Sequence, residues 1–145
     1  MLSNPDHHRI AQRLRDAGIS PTLQRMMVAI TLLPRPVHMT VEQILRRVRD
    51  RMPEISRATV YNTLHLFTRH GLLHELYLDG EAAVYDSNVQ PHPHLYDIDT
   101  GLVCDLPTDA VKIGALPALP AGMTLDSVDV VVRVRSKASN PVYSA

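Results

Sequence analysis

Ser56-Arg57-Ala58-Thr59-Val60-Tyr61-Asn62-Thr63-Leu64-His65-Leu66-Phe67 is the stretch on which the reading of the chain turns. Ser56 is a strong N-cap type, because its hydroxyl accepts from the free amides of a first helical turn. At about 100° per residue, Val60, Thr63, Leu64 and Phe67 fall on one side of the helix that follows. Arg57, Tyr61, His65 and Thr68 fall within an arc of about 80° on another side. One face is apolar enough to dock on a core. The other carries a cation, an aromatic hydroxyl, an imidazole and a hydroxyl, groups that donate to phosphates, reach base edges or pack on thymine methyls. An ordinary amphipathic helix with a solvated face has the same pattern. The neighbouring segments decide between the two readings.

Upstream, three helical patterns lead into this stretch. Residues 6–17 place Ile10, Leu14 and Ala17 at helical spacing, and Gly18 stops the run. Pro21-Thr22 opens a second helix through about Leu33, with Met26, Ile30 and Leu33 as its stripe. Pro34 and Pro36 end it, since proline supplies no amide and restricts the residue before it. Thr40 caps a third helix, with Gln43 at capping-box spacing. Its stripe is Val41, Ile44, Leu45, Val48 and Met52, and Arg46, Arg47, Arg49 and Arg51 crowd its other faces. Pro53 ends it only a few residues before Ser56, so the third and fourth helices form a helix-turn-helix candidate.

Downstream, Gly71 stops the fourth helix. Leu73 to Leu78 and Ala82 to Tyr85 flank Asp79-Gly80, a strong hairpin signal. Three helices, a recognition helix and a two-stranded wing make a winged helix-turn-helix over residues 1–86. Ser87 to Pro93 is polar and proline-broken and reads as a hinge over residues 87–93. Strands are expected at Leu95 to Ile98, Leu102 to Leu106 and Val128 to Val134, with a short helix near Asp109–Leu116. Residues 94–136 form a small second domain and residues 137–145 a flexible tail. The fold class is therefore α+β: an N-terminal winged helix-turn-helix followed by a small α/β dimerisation domain. About fifty residues bury too little surface to be stable alone. Pairing with a second copy repairs this and suits the symmetric sites of such DNA readers. Packing on the first domain is the alternative.

Composition narrows the function. The net charge is zero, but residues 1–80 hold eleven Arg against seven acids, while residues 81–145 hold four Lys/Arg against eight acids. A polyanion partner is expected on the first half. No apolar run approaches the ~18–20 residues of a membrane span. The N-terminus is too polar for a secretory signal. The single Cys104 permits neither an internal disulfide nor a Cys-x-x-Cys zinc site. A cytoplasmic protein without a membrane partner is the simplest expectation.

His92-Pro93-His94 is the second informative feature. In an extended segment, residues two apart face the same way, so both imidazoles can address one centre. Asp86 ends the wing just before, Asp105 ends a later strand, and His38 lies between the second and third helices. Three His and two carboxylates suit a borderline, open-coordination ion such as Fe(II), Mn(II) or Zn(II). An ion held across the hinge would couple metal binding to DNA affinity. Unrelated surface histidines are the alternative, since the chain has eight.

These residues resemble the ferric uptake regulator family over about residues 9 to 136. The resemblance rests on Pro-Thr-Leu-Gln-Arg (21–25), Val-His-Met-Thr-Val-Glu-Gln-Ile-Leu (37–45), Ser-Arg-Ala-Thr-Val-Tyr-Asn-Thr-Leu (56–64), Val-Tyr-Asp (84–86) and His-Pro-His (92–94). Within the family the chain is most like the iron response regulators. The carriers there are Tyr-Asp-Ser-Asn-Val (85–89), Leu-Pro-Ala-Leu-Pro-Ala-Gly-Met (116–123) and Val-Asp-Val-Val-Val-Arg-Val-Arg (128–135). The resemblance implies a homodimeric, metal-responsive repressor of iron-homeostasis or oxidative-stress genes that binds AT-rich inverted repeats in double-stranded DNA. It implies that Tyr61 packs on thymine, that Arg57 and Asn62 lie at or beside the DNA face, and that Thr22 and Arg25 hold phosphate; His65 joins this set from its place on the polar face of the helix. It maps a regulatory site for Fe(II) or Mn(II), with Zn(II) as an in vitro occupant, onto His38, Asp86, His92, His94 and Asp105. Aspartate at both carboxylate positions resembles the peroxide-sensing branch.

The departures carry expectations of their own. Asp97 and Thr100 stand where the family's Cys-x-x-Cys holds a structural zinc, so no four-cysteine zinc is expected. Pro91, Pro93 and Lys112 replace ligands of a further family site, which is expected to be lost. Pro93 interrupts the His-His-His of many iron response regulators, and no Cys-Pro haem motif is present. Ser20 stands where many relatives insert a basic side chain into the minor groove, so that contact is weaker or shifts to Arg15. The leading reading is a regulator and not an enzyme. A haem-sensing regulator using His92 and His94 is the first alternative. A non-haem iron enzyme, built on two His and a carboxylate, is the alternative from a different class. An architectural DNA protein without a sensor is the last.

Overall fold

The computed structural model describes residues 4–79 and 82–136. It divides into two compact units, Met1–Val89 and Gln90–Ala145. Gly80, in the expected hairpin turn, and the expected tail at 137–145 lie outside the described residues.

The first unit begins with α1 (Asn4–Asp16) and α2 (Leu23–Leu32). The short β1 (His38–Thr40) runs directly into α3 (Val41–Arg49), and α4 (Arg57–Arg69) follows. The hairpin strands β2 (His74–Asp79) and β3 (Ala82–Asp86) close the unit. Local chemistry sets the helix ends. Thr22, Thr40 and Ser56 cap α2, α3 and α4, each hydroxyl accepting from the amide three residues on. Thr40 and Gln43 form the full capping box, the Gln43 side chain accepting in return from the Thr40 amide at 2.9 Å. α1 and α4 close alike. The Ile19 amide reaches back to Leu14 O (2.8 Å) and the Gly18 amide to Arg15 O (2.9 Å). At the end of α4, Leu72 bonds to Phe67 O (2.9 Å) and Gly71 to Thr68 O (3.1 Å). Both are Schellman closures, and Gly18 and Gly71 take φ +80 and +75, which a side chain would penalise.

The core is aliphatic. Leu14, Val28, Leu32, Ile44, Val48, Val60, Leu64 and Phe67 are fully buried in one cluster. The buried residues of α4 are Val60, Thr63, Leu64 and Phe67, the face expected from helical spacing. The strands order as β1-β3-β2, antiparallel, with His38 opposite Asp86 and His74 opposite Asp86 from the other side. β1 puts His38, expected only to lie between the second and third helices, into a strand. Three residues are too few to show a period, and pairing with β3 alone defines them.

The second unit contains β4 (His94–Asp97), β5 (Val103–Asp105) and β6 (Val131–Val134) in the order β5-β4-β6. β4 pairs antiparallel with β5, placing His94 opposite Asp105, and parallel with β6. The helix expected near Asp109–Leu116 does not form, and no helix or strand lies between β5 and β6. An eight-residue helix is marginal without a surface to dock on. Ile113, Leu116, Leu119 and Met123 of this segment are all exposed. The third strand is also shorter than its Val128 to Val134 pattern, and Val128 is exposed.

Candidate nucleic-acid face and metal-ligand sets

The candidate nucleic-acid face is built from α2 and α4. Ser56 starts α4 so that its docked stripe is fixed by the core, which turns Arg57, Tyr61, Asn62 and His65 to solvent. Tyr61 is 46% exposed although it is a large aromatic. Asn62 shares a cleft with Thr22, Gln24, Arg25, Thr59, Thr63 and Leu66, so the structure brings Thr22, Arg25 and Asn62 together. Thr22 Oγ1 accepts from the Arg25 amide (3.4 Å), and Arg25 Nη1 donates to Ser20 O (2.9 Å). Ser20 therefore contributes its carbonyl to orienting Arg25, a role its side chain does not signal.

Arg57 is held elsewhere. Its guanidinium donates through both Nη atoms to the Glu42 carboxylate in the first turn of α3, one contact being Nη2 to Oε2 at 3.1 Å. The hydrogen bond to Arg57 holds the Glu42 carboxyl below its ordinary range, and Glu42 holds Arg57 above its own. Sequence reasoning misses Glu42. A lone acid in the first turn of α3 reads as a dipole-favoured residue, and only the crossing of α3 and α4 shows its partner.

The expected metal ligands fall into two sets, one per unit. In the first unit, His38 Nε2 lies 3.1 Å from Asp86 Oδ2 across the β1–β3 ladder. Asp86 is fully buried, and its Oδ1 accepts from the Asn88 amide at 2.8 Å. A buried carboxylate is costly without such partners. Ser87 locks the ladder's end, accepting from the Val37 amide (2.9 Å) and donating to Arg35 O (3.1 Å).

In the second unit, His92 Nε2 lies 2.9 Å and His94 Nε2 3.4 Å from Asp105 Oδ1. The two imidazole rings sit 4.3 Å apart between centroids, tilted by 53°. The ligand atoms of these three residues lie within 4.8 Å of one another. His92 Nδ1 also contacts the Gln90 carbonyl, which can only accept, so Nδ1 carries a proton and Nε2 is the nitrogen that could face an ion. Both sets are nitrogen and carboxylate oxygen with no thiolate, a composition that fits a borderline divalent ion.

Asp97 and Thr100 form a turn. Asp97 Oδ1 accepts from the amides of Asp99 (2.9 Å) and Thr100 (3.4 Å) and from Ser136 Oγ (3.4 Å), while Gly101 donates to Asp97 O (2.8 Å). Burial alone would raise this carboxyl, but the Asp99 amide and the Thr100 and Ser136 contacts outweigh it and hold it below its ordinary range. Hydrogen bonds thus tie the β4–β5 link at the two positions.

The sequence profile of the ferric uptake regulator family matches residues 16–132. The transcriptional regulator FurA of Mycobacterium tuberculosis is 32% identical over 136 residues, covering 90% of this chain and 88% of that protein. The peroxide-responsive repressor PerR of Staphylococcus aureus is 33% identical over 92 residues, covering 63% and 62%. The ferric uptake regulator of Vibrio cholerae superposes with a TM-score of 0.65 at 25% identity, covering 87% of this chain and 98% of that one. The Pseudomonas aeruginosa regulator, solved with manganese, gives 0.63 at 25% identity, covering 87% and 96%. With its helix-turn-helix, its wing and its histidine–aspartate sets, the chain belongs to the ferric uptake regulator family.

Proposed function

We propose that this transcriptional regulator is a metal-responsive repressor that acts as a homodimer on AT-rich inverted repeats. One divalent ion, Fe(II) or Mn(II), takes its ligands from His38, Asp86, His92, His94 and Asp105. Residues 87–93 serve as the hinge whose angle the ion fixes, and the second domain makes the dimer. Tyr61, Asn62 and His65 meet the bases, and Thr22 and Arg25 meet phosphate. The observation that carries this reading is the convergence of His92 and His94 on one Asp105 oxygen. Three donors already aimed inward need little reorganisation to accept an ion. The lead-in helices support the DNA half, because their arginines supply the charge that phosphate contacts require.

Genes of iron homeostasis or oxidative stress are the targets we assign, in keeping with the FurA and PerR relatives. Members of this family are transcriptional regulators, so the iron-enzyme alternative is set aside. Among the described residues no helix is long and apolar enough to cross a membrane.

The test is operator binding with apo, Fe(II)-, Mn(II)-, Zn(II)- and haem-treated protein, with metal content measured alongside. The operator is the duplex that the protein enriches from a randomised pool. Affinity that depends on Fe(II) or Mn(II) supports the reading. Affinity that responds only to haem, with a Soret change lost in a His92→Ala/His94→Ala variant, replaces it with haem sensing.

A further inference from the structure

We infer that Glu42 is a specificity-determining residue that aims Arg57 and withholds it from the DNA backbone; this rests on the DNA-reading function proposed above. Arg57 stands in the first turn of α4, where the helix amides already create positive potential and that turn supplies no acid. A cation there is drawn to any phosphate, whatever the sequence. Glu42 changes this. Its two oxygens take both Nη atoms, a fork-to-fork pairing that fixes the plane of the guanidinium as well as its charge.

Two consequences follow from that geometry. The paired charge is locally cancelled, which weakens sequence-blind attraction to phosphate. The guanidinium also bonds to Tyr61, and its Nε–Nη edge is the one whose two donors match the pair of acceptors that guanine presents in the major groove. Arg46 and Arg49 line the same cleft with Glu42, Leu45, Asp50 and Arg57. Those arginines keep the surrounding surface cationic, so the DNA is still attracted while Arg57 is reserved for a base. Tyr61 lies one turn further along the same stripe of α4, which places the aimed guanidinium next to the expected thymine reader.

The experiment compares wild type, Glu42→Gln, Arg57→Ala and the double variant. Each is put through selection from a randomised duplex pool, and its affinity is measured on the wild-type operator and on random DNA. Both side chains are well exposed, so the fold should survive, and thermal midpoints check this. Glu42→Gln is expected to tighten random-DNA binding several-fold and to lower the operator-to-random ratio by about ten-fold. It should also flatten the preference at one base pair per half-site. Arg57→Ala should flatten that same base pair, and adding Glu42→Gln to it should change nothing further. An equal shift on operator and random DNA, or an unchanged base preference, overturns the inference. If the wild type enriches no sequence, the DNA-reading function fails and this inference fails with it. If the wild type and Glu42→Gln enrich the same sequence equally, only the role of Glu42 is lost.

Discussion

His38 and Asp86 face each other across the β1–β3 ladder, with Nε2 3.1 Å from Oδ2. The pairing is set by backbone register, so neither side chain has to search for the other. It places an imidazole on a carboxylate that is fully buried and also bonded to the Asn88 amide. Asp86→Asn keeps the shape and removes the charge. We expect Mn(II) affinity, measured by calorimetric titration, to fall by at least about ten-fold, because a ligand is lost along with the group that orients His38. Unchanged affinity would remove Asp86 from the ligand set.

Tyr61 is a large side chain left exposed on a helix whose other face is docked. Tyr61→Ala is expected to weaken operator binding by about 1–3 kcal/mol and random-DNA binding far less. The change in unfolding free energy should stay within about 0.5 kcal/mol, as for an exposed position. Fluorescence anisotropy on both duplexes checks the first statement, and urea denaturation the second. Operator affinity should also fall steeply with salt, because the arginine contacts release counterions. Equal loss on both duplexes would count against Tyr61 as a base reader.

Two local devices hold α4 and its neighbour α3. Thr40→Ala removes the hydroxyl that accepts from Gln43 and should cost about 1 kcal/mol. Gly71→Ala forces a side chain into φ +75 and should cost about 1–2 kcal/mol, although no neighbour lies within 4 Å of the added methyl. Both are measured by denaturation midpoint. A neutral Gly71→Ala would mean that the end of α4 can close without the left-handed residue.

Residues 113–125 leave Ile113, Leu116, Leu119, Met123 and Leu125 exposed in a unit with only three short strands among the described residues. Apolar exposure on that scale suits a subunit interface. The double substitution Leu116→Glu/Met123→Glu is expected to shift the protein from dimer toward monomer in sedimentation equilibrium. A dimer of unchanged stability would place the contact elsewhere.

Much of the first unit is legible in the sequence because its signals are local and redundant. The α4 stripe, the Thr40–Gln43 box and the Gly18 and Gly71 stops each rest on residues a few positions apart, and tertiary packing agrees with all of them. What local pattern misses is what long-range contact creates. β1 exists because His38 to Thr40 pair with Asp86 to Val84, about forty-five residues away. The Glu42–Arg57 pair exists because two helices cross. Near Asp109–Leu116 the pattern expects a helix that does not form, and Ile113 and Leu116 stay exposed with no docking surface to stabilise one. The His92–Asp105 and His94–Asp105 contacts are foreseeable as residue types in the right order, but their convergence on one oxygen depends on the β4–β5 register.

The central claim is that metal binding at the histidine–aspartate ligands controls operator affinity. The most direct test measures that affinity for chelator-treated protein and for protein loaded with Fe(II) or Mn(II), alongside bound metal per chain. The account predicts at least about a ten-fold change on loading, the size of an ordinary allosteric coupling, and no change in a His92→Ala/His94→Ala variant. The same affinity with and without chelator, in a protein that still selects its operator, would contradict the account and leave a DNA-binding protein without a sensor.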